Sequence, residues 1–202
     1  MWLLYIETPA LFIYIYMVTP LPIPTSKLSL RVPQDFLFLR TVDASTMQIY
    51  DYNNILLHSG SILIGAYARD FSISVKSPNT EVSISSPEPF SVMLGVTTNG
   101  GIKTISLLGK ASITCQGEEM QILPGDLCFG LADGISRKMS VELSTLMVTS
   151  KLLTGFEKPL PFMKRINQQA MMQALRTKQR FRTVVGDVKG TRDFEIKVIE
   201  EK

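Results

Sequence analysis

At 202 residues, 45% hydrophobic and 19% charged, the chain is neither disordered, nor collagen-like, nor a polytopic membrane protein, and has room for one ordinary domain plus extensions. Its formal net charge of +3 is unevenly spread: residues 1–150 hold nine Lys and Arg against twelve Asp and Glu, and residues 151–202 hold twelve against six. A mildly acidic body therefore carries a basic C-terminal region.

Residues 1–24, MWLLYIETPALFIYIYMVTPLPIP, are apolar and contain no Lys or Arg. The basic n-region and small-residue cleavage site of a secretory signal are missing, and Glu7, Pro9 and Pro20 interrupt a run too short to span a bilayer. Three readings stay open: a remnant export signal, the start of the sheet domain, or translation from a start codon that is not the natural one. Pro20, Pro22 and Pro24 favour extended backbone, so residues 1–25 are read as an apolar leader and linker.

From Ser26 onward the apolar residues alternate. KLSLRVP, FLFLRTV and TMQIYDY open the series; on the second, Phe36, Phe38 and Arg40 share one face, with Leu37 and Leu39 on the other. Phe71, Ile73 and Val75 then alternate in FSISVKS, as do Val82 and Ile84 in EVSIS. Turn chemistry separates the strands at Asn99-Gly100-Gly101, Gln116-Gly117-Glu118-Glu119 and Pro124-Gly125-Asp126. Gly60, Gly100, Gly109 and Gly125 are assigned to structural turns. Many short strands about ten residues apart predict a mainly β protein, a two-sheet β-roll or sandwich of solenoid-like character, over residues 26–134.

Residues 135–202 change period. Ser140 is positioned to cap a helix over VELSTLMVTSKLL, with Leu143, Leu146, Met147 and Leu153 at helical spacing and Gly155 as its stop. After EKPLPF a second helix is expected over residues 162–182. Met163, Ile166, Ala170 and Ala174 form its narrow apolar stripe, and Lys164, Arg165, Arg176, Lys178, Arg180 and Arg182 give it six positive charges and no acid. DFEIKVIE is a terminal strand. The basic cluster Arg176, Lys178, Arg180 and Arg182 is the candidate interaction site, facing an envelope protein or an anionic surface such as lipid or lipopolysaccharide. The acidic sheet region and the lack of an aromatic stacking platform beside the basic run disfavour nucleic acid.

Chemistry is otherwise sparse. GEEMQILPGDLCF has the PxG turn of a second cupin motif, but Leu127 and Cys128 stand where a histidine would be required. His58 is the sole histidine, a loop-end residue without a partner for base catalysis. Cys115 and Cys128 make no CxxC pair, so zinc lacks ligands; they are read as two buried thiols, a disulfide being conceivable on export. No G-x-S-x-G context surrounds any serine. The expectation is a non-enzyme with no catalytic residues, cofactor or metal.

The order TMQIYDYNNILLHSGSILIGA, FSISVKSPNTEVSIS, PFSVMLG, IKTISLLGKASITCQGEEMQILPGD resembles the FecR domain, an extracytoplasmic β-rich module named after a ferric-citrate sensor and anti-sigma regulator. The matching residues are Leu57 to Gly60, Ile102 to Ile113 with Gly109 at the turn, and Leu123 to Gly125, within residues 27–131. The chain departs from the pattern at Pro87-Glu88-Pro89-Phe90, where the family has Gly-Thr before the Phe. The resemblance implies a non-enzymatic periplasmic or envelope-associated module acting in signalling or scaffolding through protein contacts. The alternative is a glycan- or small-molecule-binding β domain of the envelope.

Overall fold

The computed structural model describes residues 2–6, 13–15, 27–31, 37–51, 53–67, 69–180, 184–187 and 195–198. The protein is mainly β, with two open sheets and a short C-terminal helical part. In chain order the strands are β1 (Trp2–Ile6), β2 (Ile13–Ile15), β3 (Leu28–Arg31), β4 (Leu37–Thr41), β5 (Met47–Asp51), β6 (Asn54–Leu57), β7 (Ser61–Ala66), β8 (Phe71–Lys76) and β9 (Glu81–Ser86). They continue with β10 (Phe90–Val96), β11 (Ile102–Leu108), β12 (Ala111–Cys115), β13 (Glu118–Ile122), β14 (Asp126–Leu131), β15 (Gly134–Ile135) and β16 (Met139–Ser140). Helices α1 (Leu143–Thr149), α2 (Lys151–Thr154) and α3 (Met163–Arg180) follow, then the hairpin of β17 (Val184–Asp187) and β18 (Glu195–Val198).

The larger sheet runs β15-β14-β11-β10-β7-β4-β3-β1-β2, with β16 also on β14, and the smaller β13-β12-β9-β8-β6-β5. The chain winds between them: β5 and β6 in the smaller, β7 in the larger, β8 and β9 in the smaller, β10 and β11 in the larger, β12 and β13 in the smaller, β14 in the larger. Because it leaves the smaller sheet to supply β7, β6 and β8 meet in parallel. β1 and β2 extend the larger sheet beyond β3, which puts those parts of the N-terminal stretch in the sheet. β15 and β16 carry the sheet past the expected boundary at residue 134.

Two packed layers of apolar side chains explain two kinds of strand sequence. Between the sheets lie Leu37 and Leu39 from β4, Ile62 and Ile64 from β7, and Phe90, Val92 and Leu94 from β10. They meet Ile55, Leu57, Ile73, Val75, Val82, Ile84 and Ile113 of the smaller sheet. The smaller sheet alternates buried and open positions because its other face meets water. Central strands of the larger sheet are buried on both faces, so SILIGA and FSVMLGV read as nearly continuous apolar runs. Their second face, with Phe38, Leu63, Met93, Ile105 and Leu107, packs under Leu143, Leu152, Leu153, Leu160, Phe162, Ile166 and Ala170 of the helical segment. The architecture is therefore sheet, sheet and helices in three layers.

Three of the sheet-to-sheet crossings, β6–β7, β11–β12 and β13–β14, use assigned glycines. Gly60, Gly109 and Gly125 stand at crossings with φ of 76°, 75° and 90°, and Gly100 at the β10–β11 hairpin tip with 75°. At Gly109 a side chain would meet the Pro89 carbonyl, so space and backbone angle both exclude one. The same corner accommodates Pro87-Glu88-Pro89: Lys110 N donates to Glu88 Oε1 at 2.8 Å, and Ser86 Oγ lies 2.7 Å from the carbonyls of both Glu88 and Lys110. Gln116 and Gly117, at φ of 50° and 80°, close the β12–β13 hairpin as a two-residue turn of type I′ character.

The helical segment differs from expectation in three places. Ser140 does not cap a helix; it pairs with Asp126 in β16, and Glu142 precedes α1. Extended backbone at Ser150 splits the expected single helix into α1 and α2, after a stretch in which Thr145, Val148 and Thr149 are weak helix formers. On α3, Ile166 and Ala170 are buried, but Ala174 is exposed and half-buried Gln173 takes the inward place. Gln173 Nε2 donates to Val141 O at 2.7 Å, while its Oε1 accepts from Leu143 N at 2.8 Å, satisfying an otherwise orphaned donor at the start of α1. The terminal strand is β18, hairpinned with β17, and residues 181–183 lie outside the described residues.

Candidate functional site

Helix α3 is held by one face and open on the other. Phe162, just before it, is 3% exposed, stacks on Tyr67 with ring centroids 4.0 Å apart, and covers Gly65 of β7, where a Cβ would come within 2.9 Å of its ring. The preceding segment is pinned as well. Arg40, 1% exposed, donates to the Lys158 carbonyl and stands over the rings of Phe38 and Phe156 at 5.0 Å and 4.5 Å, so a buried guanidinium joins β4 to the loop before α3. Lys27 Nζ donates to Gly155 O at 2.8 Å.

The opposite face of α3 is unusual for a solvated helix. Met171, Met172 and Leu175 are 67%, 48% and 50% exposed, and Val148 of α1 is 75% exposed. Along the same helix as Met171, Met172 and Leu175 stand exposed Lys164, Arg165 and Arg176, and α3 contains no acidic residue. Of the four basic residues singled out from the sequence, Arg176 is exposed on α3, Lys178 and Arg180 lie in its last turn, and Arg182 is outside the described residues. Sequence reasoning found the charge and missed the apolar spot. Its signal was present as a second seam, Lys164, Gln168, Met171, Leu175 and Lys178, spaced four, three, four, three, opposite the seam of Ile166, Ala170 and Gln173.

The acids of the cupin-like run serve local hydrogen bonds. In the cupin-like run, Glu118 Oε2 accepts from Ile135 N at 2.7 Å, and Asp126 Oδ2 accepts from Leu123 N at 2.9 Å and lies 3.7 Å from Lys138 Nζ. Exposed His58 follows β6, its backbone N–H bonded to Thr46 O at 2.8 Å. Among the described residues no group of three or more His, Cys, Asp and Glu is placed to hold a metal. Cys115 and Cys128 are free, buried thiols of the inter-sheet core. Burial pushes both thiols up, Cys128 to about 11 with a further contribution from Asp126, so neither is poised as a thiolate nucleophile. Exposed Glu142 is held below the usual carboxylate range by hydrogen bonds from Ser144 Oγ and Thr145 Oγ1.

The fold and this surface define an open two-sheet β protein with a docked helical cover whose outer face is cationic and partly apolar. No family model and no curated protein matches the chain. Two crystal structures of candidate anti-sigma factors from Parabacteroides distasonis are similar to it: one at TM-score 0.46 and 12% identity, covering 66% of each chain, the other at 0.43 and 13%, covering 62% of each. Both matches span just under two thirds of either chain's length.

Proposed function

We propose that the chain is a non-enzymatic regulatory module of the cell envelope, of FecR-like type, that acts through protein contacts. The observation that carries this reading is the outward face of α3, where Met171, Met172 and Leu175 stay exposed on a helix whose other face is fixed to the sheet. The order of strands and glycines over residues 27–131 supports the FecR-like assignment and, through it, a place outside the cytoplasm. The test is to fractionate cells producing the full chain and crosslink them. A defined adduct in the envelope fraction supports the reading; a purely cytoplasmic, adduct-free protein contradicts it.

A second reading, a glycan-binding face, has one observation in its favour. Cross-strand register aligns Ser72, Ser85 and Ser112 in one row and Ser74, Ser83 and Thr114 in the next, on the solvent side of the smaller sheet. The side chain of Tyr50, 53% exposed, belongs to the same face. Binding of soluble envelope polysaccharide, lost on replacing Ser83 and Ser85 by Lys, would favour this reading over the first.

A further inference from the structure

We infer that the outer seam of α3 pairs with an acidic amphipathic helix of a protein partner, an inference that rests on the protein-contact reading and specifies its surface and chemistry. Lys164, Gln168, Met171, Leu175 and Lys178 recur at the 3.5-residue spacing of a helix-pairing seam and extend about 21 Å along the axis at ~1.5 Å per residue. The seam is apolar at its centre and basic at its ends. A complementary helix therefore places apolar residues against Met171 and Leu175 and carboxylates against Lys164 and Arg165. Methionine suits such a contact because its unbranched, polarizable side chain adapts to the partner's shape.

Charge argues against a second copy. Pairing α3 with α3 would set cations against cations, and neither α1, LSTLMVT, nor α2, KLLT, contains an acid. Composition argues against a lipid surface. A helix lying in a headgroup region presents a broad face of Leu, Phe or Trp, whereas α3 offers two methionines and one leucine, with Asn167 and Gln168 exposed nearby.

The experiment titrates the full chain into fluorescein-labelled 21-residue peptides. One carries Leu at the paired seam positions with flanking Glu, one is its scrambled isomer, and one has Lys in place of Glu; vesicles containing phosphatidylglycerol form a separate arm. The acidic helix should bind, weaken as salt rises, and lose at least tenfold affinity to Met171→Gln/Leu175→Gln. That variant should keep the parent's circular dichroism and melting temperature, because both residues are exposed. Hydrogen exchange in the complex should slow at residues 168–178. Equal binding of the scrambled peptide, undiminished binding by the double variant, binding to vesicles alone, or no binding to any probe overturns the inference. Crosslinks made in cells through another surface, alongside such a failure, would leave the protein-contact reading standing and remove only this one.

Discussion

Removing Phe162 and filling Gly65 should be coupled, because one side chain occupies the space the other leaves. Phe162→Ala deletes a ring that is 3% exposed, together with its 4.0 Å stack on Tyr67, and should cost about 3–5 kcal/mol. For a chain of this length that lowers the melting temperature by roughly 6–20 °C, at about 2–4 °C per kcal/mol. Gly65→Ala adds one methyl group, whose carbon would sit 2.9 Å and 3.3 Å from Phe162 Cε2 and Cδ2, with the next neighbour, Phe90 O, at 3.7 Å. Overpacking of this kind costs about 1–3 kcal/mol. In the Phe162→Ala background the clash is gone, so the same methyl should cost almost nothing, giving a coupling of about 1 kcal/mol or more. Urea denaturation followed by far-ultraviolet circular dichroism on the four proteins measures it. Additivity within about 0.5 kcal/mol would refute the packing of the helical layer on β7.

Gln173→Leu should destabilise by about 1–3 kcal/mol, since it abandons Leu143 N and Val141 O, while Gln168→Leu on the exposed face should change stability by less than about 0.5 kcal/mol in the same denaturation assay. Gly109→Val and Gly125→Val should each lower the melting temperature more than Thr114→Val on the open strand face; equal, small losses would contradict the crossing geometry. The Cys128 thiol should stay unreactive to a disulfide reagent at pH 8 until the protein is unfolded. Its raised pKa means the native state holds a proton that the unfolded chain releases first. The associated stability is therefore present below about pH 9 and lost as pH rises towards 11, a slope that Cys128→Ala should reduce.

Much of the sheet was legible because one-sided strands announce themselves. FSISVKS and EVSIS alternate, and Ser72, Ser74, Ser83 and Ser85 lie on the open face, whereas Ser77, past the end of β8, is buried. The split of Phe38 from Leu37 and Leu39 was also readable, although what covers Phe38 was not, since period two specifies faces and not their partners. The third layer was harder to see. Ile166 and Ala170 alone look like a weak stripe, and the anchor is Phe162, which was not counted in that stripe and stands just before α3 at the end of a Pro-rich turn. Gln173 was invisible to a hydrophobic pattern because it bonds inward instead of packing. The α1–α2 break was missed because Leu143 through Leu153 keep helical spacing across an extended Ser150. The interaction surface was half legible: charge is counted from sequence, but exposure of Met171 and Leu175 depends on which of two opposite seams docks.

The most direct test places a photo-crosslinking amino acid at Met171 in the full chain, with Ser85 on the open sheet face as comparison, and irradiates living cells. A discrete protein adduct should form from position 171, weakened by Leu175→Gln, and none of comparable yield from position 85. Adducts from position 85 with none from position 171 would contradict contact through α3.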